Sequence, residues 1–308
     1  MLPSNLQELS VLRAVTYAAL FDYPLTLQQL RDSLDVVADE DTIVRWWRTG
    51  LLLQATVDFQ DGLFFPRGRT DLAVTRSRRE AFSRQMLERD RRILSFVSAM
   101  PFVRMVALSG SLAHLNAEGV ADLDLFVITR ASRVWSVTLT ILIVARLFGW
   151  RRRLCLNYVI SRQQMAIEPA DLFSANQIIH LRPIAGWRTY KRFVDANPFV
   201  TARYPNFQYQ AAGLIPRAGT RWLERVLSLG FAQVAEPAAR VLYGWHLRRR
   251  SGTWRSREQV RLEPECLKLH TSSHRASTLA RYEAALAEAL AHSAEFRVKS
   301  SVLIQSAP

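Results

Sequence analysis

The feature that most constrains this chain is a pair of apolar runs that enclose a Gly-Ser pair and an Asp-x-Asp motif. Residues 106–129 read VALSGSLAHLNAEGVADLDLFVIT. The first apolar run ends at Gly110 and Ser111, and the second begins around Asp122 and Asp124. Short apolar runs bounded by turn-forming residues predict buried strands. The polar residues are therefore expected to meet at one end of a sheet.

Each half of this stretch has a chemical use. Gly110 has no Cβ, so backbone N–H groups at Gly110 and Ser111 can approach a phosphate closely. Asp122 and Asp124 share a face of a strand, because strand side chains alternate with period two. Neighbouring carboxylates repel each other as anions, and a divalent cation such as Mg²⁺ stabilises the pair. The residues thus predict a place for a nucleotide and a metal.

The charge balance favours anionic partners. The chain has 308 residues and a net charge of +14, and nearly all of its basic residues are arginine. Nucleic acid, nucleotides and membrane surfaces are the partners that such a charge attracts. Solvated helix faces, in a chain whose genome encodes Arg in preference to Lys, explain the same balance equally well.

Cysteine content and hydropathy indicate a globular protein of the cytoplasm. Two cysteines, Cys155 and Cys266, cannot form a disulfide framework and fit a reducing compartment. The N-terminal residues lack the pattern of a signal peptide. The longest apolar run, residues 137–150, contains Arg146 and is shorter than the roughly 20 residues of a membrane span. We expect a buried helix there, and peripheral membrane contact stays open.

Residues 1–69 have the pattern of a winged helix-turn-helix domain. Helices are expected over 6–20 and 27–34, and a third from Asp41 or Thr42 to a C-terminal Gly50. Strands are expected over 51–59 and 63–66, joined at Asp61-Gly62, which favours a hairpin.

On the third helix of this region, Arg45 and Arg48 occupy positions from which a DNA-binding domain would contact its duplex. Trp46 and Trp47 between them equally indicate packing in a scaffold or interaction surface. Arg67 and Arg69 follow the hairpin and are further candidates for phosphate contact.

The rest of the chain predicts an α+β fold. A charged connecting helix is expected over 70–100, followed by a core over 101–200. The core alternates strand 103–109, a short helix, strand 123–129, helix 133–149 and strand 154–160, which gives a mixed sheet. We expect a C-terminal helical region over 201–308, wholly helical between 219 and 290.

Gly110-Ser111, ten intervening residues and Asp122-Leu123-Asp124 resemble the motif of the polymerase β-type nucleotidyltransferase superfamily, in particular its minimal prokaryotic members. The segments CLNYVIS, DANPFVTARYPN and LKLH are similar to a prokaryotic group with a winged helix before the transferase core. The resemblance implies that Gly110 and Ser111 bind the β,γ-phosphates of an NTP. It implies that Asp122 and Asp124 are catalytic and hold one or two Mg²⁺ ions.

The chain departs from that resemblance at one position. Active members carry a third carboxylate on a later strand, and here residues 154–160 contain none. Asn157 is the only amide on this strand, and Glu168 and Asp171 are the next acidic residues.

Two alternative functions follow from these residues. One is a Mg²⁺-dependent transfer of NMP to RNA, a protein or a small molecule, with release of pyrophosphate. The other is a non-catalytic, nucleotide-sensing regulator that binds DNA.

Four further groups of residues were candidates for the site. Arg151-Arg152-Arg153 and the pair Arg130 and Arg133 suit phosphate, because guanidinium groups bind it in a bidentate manner. His114 is expected to cap or pack. Cys266, His270 and His274 lie four residues apart, a spacing that on a helix would offer ligands to zinc, although no fourth ligand is evident.

Overall fold

The structure, a computed structural model, describes residues 4–119, 121–209, 221–228, 230–269 and 274–305. The chain divides into two compact units, and each is assembled from separate segments. The first unit takes residues 1–79, 199–208 and 274–308, and the second takes 80–198 and 209–273. Helices and strands occur in both units, so the α+β class is confirmed. Among the described helices, none combines the length and apolar character needed to cross a membrane.

The first unit packs its helices against a three-stranded antiparallel sheet of order β1-β3-β2. Its elements are α1 (Ser4–Ala19), β1 (Leu25–Thr26), α2 (Leu27–Asp32), α3 (Glu40–Thr49), α4 (Leu51–Thr56), β2 (Val57–Gln60), β3 (Leu63–Pro66), α11 (Pro198–Arg203) and α14 (Arg275–Gln305). Helix α5 (Asp71–Arg89) begins in this unit and ends in the second. Buried side chains from α1, α4 and the sheet, including Leu12, Leu53 and Phe64, form its core.

The hairpin predicted at Asp61-Gly62 is confirmed, but the strand predicted over 51–59 is wrong in its first part. Asp61 and Gly62 both have positive φ, as a two-residue hairpin turn requires. Residues 51–56 instead form helix α4, and Gly50 is extended rather than left-handed. The buried Glu8 carboxylate accepts the N–H of Leu52 at 2.8 Å, which satisfies a donor at the start of α4.

The second unit is built around a six-stranded mixed sheet of order β7-β4-β5-β6-β9-β8. Its strands are β4 (Val103–Leu108), β5 (Leu123–Thr129), β6 (Leu154–Ser161), β7 (Arg182–Ala185), β8 (Val260–Glu263) and β9 (Cys266–Leu269). Its helices are α6 (Arg91–Ala99), α7 (Gly110–Ala113), α8 (Val134–Leu147), α9 (Leu172–Ile179), α10 (Trp187–Asp195), α12 (Arg221–Ser228) and α13 (Phe231–Arg249), with short 3-10 helices at Ser251–Thr253 and Arg257–Gln259. Among the strands that the structure describes in this sheet, β5 and β6 pair in parallel and the other neighbours are antiparallel.

Period-two alternation gives this sheet two different faces. Leu123, Leu125 and Val127 point into an apolar core that α8 covers with the fully buried Trp135. Asp124 and Phe126 lie on the opposite face. The strands predicted in 101–160 are therefore confirmed, and β5 places Asp124 on the face that α8 does not cover. Asp122 lies directly before β5 and not within it, which corrects the expectation that both carboxylates belong to the strand.

Two predictions about helices are wrong. The connecting helix over 70–100 is broken at Asp90, whose buried side chain pairs with Arg89 and Arg153. The region 219–290 is not wholly helical, because β8 and β9 form a hairpin within it. Apolar and polar side chains alternate over Val260–Glu263, Pro264 and Glu265 form the turn, and β9 pairs with β6. The backbone N–H and C=O groups of β9 form hydrogen bonds with β6, and this pairing favours a strand over the predicted helix.

Candidate functional site

The Gly-Ser pair and the Asp-x-Asp motif meet where β4 ends and β5 begins. The N–H of Ser109 donates to the carbonyl of Asp124 at 2.9 Å, which joins the two segments. Gly110 has φ of +63°, and a Cβ on it would lie 2.6 Å from Oδ2 of Asp124. Only glycine therefore allows this backbone to approach the carboxylate so closely. Ser111 follows on the first turn of α7 with an exposed side chain.

Asp122 and Asp124 are close enough for their charges to interact. Asp122 is exposed, and Asp124 is half-buried. Burial, and to a smaller extent the nearby Asp122 carboxylate, raise the pKa of Asp124 to about 6. Hydrogen bonding with Cys155 acts in the opposite direction. The pair thus carries unfavourable negative charge that a cation would relieve.

Asn157 lies on β6, the strand on which a third carboxylate was expected, and its side chain contacts Asp124. Its Nδ2 donates to Oδ1 of Asp124 at 3.0 Å, and its Oδ1 accepts from Sγ of Cys155 at 2.9 Å. Burial and the two carboxylates raise the pKa of the Cys155 thiol to about 11, so it is neutral at physiological pH. The amide therefore holds the Asp124 carboxylate and adds no negative charge to the site.

The two other candidates for a third carboxylate have different roles. Asp171 accepts the N–H of Ser174 at 2.8 Å and caps helix α9. Glu168 is exposed and pairs with Arg261 at 3.3 Å. In the part of the chain that the structure describes, no three His, Cys, Asp or Glu side chains form a group that could hold a metal. A metal at Asp122 and Asp124 would thus draw its remaining ligands from the substrate, water or neutral oxygen atoms.

The arginines that were candidates for phosphate contact lie at different ends of the sheet. Arg151 precedes β6 at the same end as Asp124, and its charge lowers the pKa of Cys155. Arg153 pairs with the buried Asp90, so its role is structural. Arg130 follows the opposite end of β5, six residues from Asp124, which places it about 20 Å away along the strand.

Arg133 lies beyond Arg130 and stacks on Phe102, with 5.1 Å from its guanidinium carbon to the ring centre. Arg130 and Arg133, which were candidates for phosphate contact, therefore lie at the end of β5 that is remote from the carboxylates.

Two histidines meet near the same end of the sheet. His114 follows α7, and its ring centre lies 4.3 Å from that of His180, which precedes β7. Burial and the neighbouring His114 lower the pKa of His180 well below its usual value. The contact agrees with the packing role that the sequence predicted for His114.

Two residues on the face of Asp124 were missed in the sequence. Tyr158 of β6 lies opposite Phe126 of β5, and Lys268 of β9 lies opposite Tyr158. Nζ of the buried Lys268 is 5.3 Å from the centre of the Tyr158 ring. The alternation of apolar and polar residues in β8, directly before β9, could have indicated a hairpin here, but a helix was predicted from the sequence. This face thus combines the acidic motif with an aromatic ring and a cation.

The first unit holds the candidate residues for DNA contact. Arg45 and Arg48 are exposed on α3. Trp47 packs in the core, donates to the carbonyl of Val57 at 3.0 Å and contacts Phe59 edge to face.

The residues after the hairpin are engaged within their own unit. Arg69 pairs with Asp22 and Asp71, which raise the pKa of its guanidinium group further. Arg67 donates to the carbonyl of Gln54. Of the predicted contacts in this unit, Arg45 and Arg48 therefore remain the best placed for a phosphate backbone.

The zinc candidate is wrong as a helical site. Cys266 lies on strand β9 and is buried, His274 precedes α14, and His270 lies outside the described residues. Side chains four residues apart share one face of a helix. Because Cys266 lies on a strand and His274 lies before a different helix, this helical spacing does not bring the two side chains together.

Comparisons with models of known protein families, with curated proteins and with solved structures found no match for this chain. The chemistry of the site therefore rests on the geometry of its own residues.

Proposed function

We propose that this protein is a Mg²⁺-dependent nucleotidyltransferase that moves NMP from an NTP to an acceptor and releases pyrophosphate. The contact between the Gly110 backbone and the Asp124 carboxylate carries the proposal. It brings backbone donors suited to a phosphate within a few ångströms of carboxylates suited to a metal. Binding and chemistry of a triphosphate need these two elements at one place.

The donor set at the carboxylate pair fits magnesium. Mg²⁺ prefers oxygen ligands and is usually bound by one or two carboxylates together with substrate phosphates. Asp122 and Asp124 would hold it, and it would supply charge neutralisation at the phosphates. Burial and the neighbouring Asp122 carboxylate raise the pKa of Asp124, and a bound cation would lower it again.

The protein's own contribution is to position groups and provide charge. The backbone N–H groups of Gly110 and Ser111 orient the terminal phosphates, and Asn157 fixes the Asp124 carboxylate. Arg151 contributes positive charge at the same end of the sheet. Phosphoryl transfer needs this kind of alignment more than covalent participation by the protein. The acceptor could be RNA, a protein or a small molecule.

A labelling experiment tests the proposal. The full chain is incubated with Mg²⁺ and each α-³²P-labelled NTP, alone, with RNA and with lysate. Label is expected on one of these acceptors, and Asp122→Asn should abolish its transfer. Asp61→Asn in the hairpin turn is the matched control, because it removes one carboxylate from an exposed turn and should leave labelling unchanged. Absence of transfer, or transfer undiminished by Asp122→Asn, would refute the proposal.

A second candidate function follows from the missing third carboxylate. With only Asp122 and Asp124 as acidic ligands, the site suits nucleotide binding without catalysis. The first unit, with a helical layer and a hairpin that resembles a winged helix, would then bind DNA through Arg45 and Arg48. Sequence-selective duplex binding that responds to NTP, in a protein that transfers no label, would favour this function.

A further inference from the structure

Helices α12 and α13 expose a row of large apolar side chains to solvent. We call this row the outer face. The side chains of Val234, Val241 and Leu242 are 69%, 67% and 64% exposed. The complete outer face consists of Trp222, Val226, Val234, Val241, Leu242 and Trp245. On α13, Val234, Val241 and Trp245 follow the spacing of a single helix face, as do Trp222 and Val226 on α12. Exposed apolar side chains grouped on a helix face of a folded protein mark a place of interaction.

The opposite side of α13 is already occupied. Ala239, Gly244 and Leu247 are buried, and a Cβ on Gly244 would lie 3.6 Å from the ring of Trp135 on α8. The outer face therefore does not belong to the core of its own unit. Its apolar residues are separated from that core by the helix itself.

The acidic residues of these helices point inward. Glu224 pairs with Arg104 at 2.7 Å and accepts the N–H of Phe102. Glu236 is buried and accepts the N–H groups of Trp135 and Ser136 at the start of α8. Both carboxylates are therefore used inside the unit, and among the described residues of α12 and α13 no acidic side chain remains on the outer face.

The exposed charged side chains that α12 and α13 themselves carry are all cationic. Across residues 222–228 and 230–250, they are Arg225, Arg240, Arg248, Arg249 and Arg250. The guanidinium carbon of Arg249 lies 3.9 Å from the ring centre of Trp245, so cation and aromatic ring are presented together. The result is an apolar row with a purely positive border.

We infer that the outer face binds the surface of an anionic phospholipid membrane. Aliphatic side chains enter the boundary between headgroups and acyl chains, tryptophan favours that boundary, and arginine pairs with lipid phosphate. A nucleic acid would use the arginines and tryptophans but gain little from Val226, Val234, Val241 and Leu242. A second copy would bring two arginine-rich borders together without acidic partners.

Vesicle co-sedimentation of the full chain tests the inference. We expect binding to vesicles of 70% phosphatidylcholine and 30% phosphatidylserine, and at least tenfold weaker binding to phosphatidylcholine alone. Two double variants test the electrostatic and the apolar contributions to membrane binding separately. Arg248→Glu with Arg249→Glu should weaken binding at least tenfold, and Trp222→Ala with Trp245→Ala should weaken it to a comparable degree.

The control is a charge reversal outside the outer face. Arg91→Glu with Arg92→Glu on α6 makes the same change in net charge at two exposed positions and should reduce binding by less than threefold. Because the substituted side chains are exposed, circular dichroism melts of all variants should agree. Quenching of tryptophan emission by brominated lipid gives a second measurement on the unsubstituted protein.

Three results would overturn the inference. Equal losses from the two arginine pairs would show that net charge alone attracts the protein. Full binding by the double tryptophan variant would exclude insertion of the outer face. Self-association of the free protein that is lost with the tryptophan substitutions would assign the face to a second copy.

Discussion

At the scale of single residues, Gly110 should be far less replaceable than a glycine with a similar backbone nearby. Gly110 and Gly119 have φ of +63° and +65°, but only a Cβ on Gly110 would meet the Asp124 carboxylate. Gly119→Ala should cost about 1 kcal/mol of unfolding free energy from backbone strain alone. Gly110→Ala should cost about 2 kcal/mol or more and also weaken Mg²⁺ binding.

Urea unfolding with and without Mg²⁺ measures both effects. Equal destabilisation by the two substitutions would show that the close approach to Asp124 contributes nothing beyond the left-handed backbone.

The raised pKa of Asp124 makes its charge a cost to the fold. With a pKa of about 6 in the folded state and 3.8 as its ordinary value, the native protein holds the extra proton between these two values. Stability therefore falls as pH rises through this window, and the loss is complete above it. Asp124→Asn should stabilise the metal-free protein at pH 8 by up to about 3 kcal/mol.

Thermal melts across pH 4 to 8 check this prediction. The advantage of Asp124→Asn should disappear near pH 4, and Mg²⁺ should stabilise only the unsubstituted protein. A variant that is less stable at pH 8 would show that Asp124 contributes more through its hydrogen bonds than its charge costs.

The sequence predicted part of the site because those residues are near one another along the chain. Gly110 and Asp124 are joined by a short connection between adjacent strands, so their meeting follows from local pattern. Tyr158 and Lys268 meet only because β9 pairs with β6. The register of β5 and β6 also shifts between Asp124 and Phe126, which alternation alone does not reveal.

At the scale of elements, helix α8 depends on a cap supplied from elsewhere in the chain. Its first residues lack a local side-chain cap, and the buried Glu236 accepts the N–H groups of Trp135 and Ser136, each at 2.9 Å. Glu236→Gln removes the charge and one acceptor oxygen. We expect a loss of about 1–3 kcal/mol, because buried donors are left without a partner.

The matched control is Glu265→Gln, which alters a half-buried carboxylate that accepts the N–H of Ser132 at 3.0 Å. It should cost less than about 0.5 kcal/mol. Denaturant titrations of both variants compare the two losses, and similar values would show that the cap on α8 is unimportant for stability.

The prediction for residues 51–56 failed for the same physical reason. Their leucines fit a buried strand or a buried helix, and periodicity does not distinguish the two in a short run. The Glu8 carboxylate at the start of α4 comes from more than forty residues away. The hairpin at Asp61-Gly62 was predictable because its left-handed turn depends on the two residues themselves.

At the scale of the whole molecule, the units are interleaved along the sequence. Helix α14 returns to the first unit, where Tyr282 contacts Tyr17 of α1 with ring centres 5.5 Å apart. Strands β8 and β9 join the sheet of the second unit. Sequence pattern identifies the apolar side of an element but not the element that covers it, so a single C-terminal region was expected.

The net charge of +14 predicts how the protein will bind DNA. A positive molecule attracts any duplex, and its affinity falls steeply with salt because binding releases counterions. Arg45→Glu with Arg48→Glu lowers the net charge by four, as does Arg91→Glu with Arg92→Glu. We expect both double substitutions to weaken the binding of arbitrary duplexes by similar factors, measured by fluorescence anisotropy between 50 and 200 mM salt.

A loss of affinity at least tenfold greater for the Arg45 and Arg48 pair, together with preference for one sequence in a competition assay, would contradict this expectation. It would instead assign α3 to the base edges of a duplex, since phosphate contacts alone weaken all sequences alike.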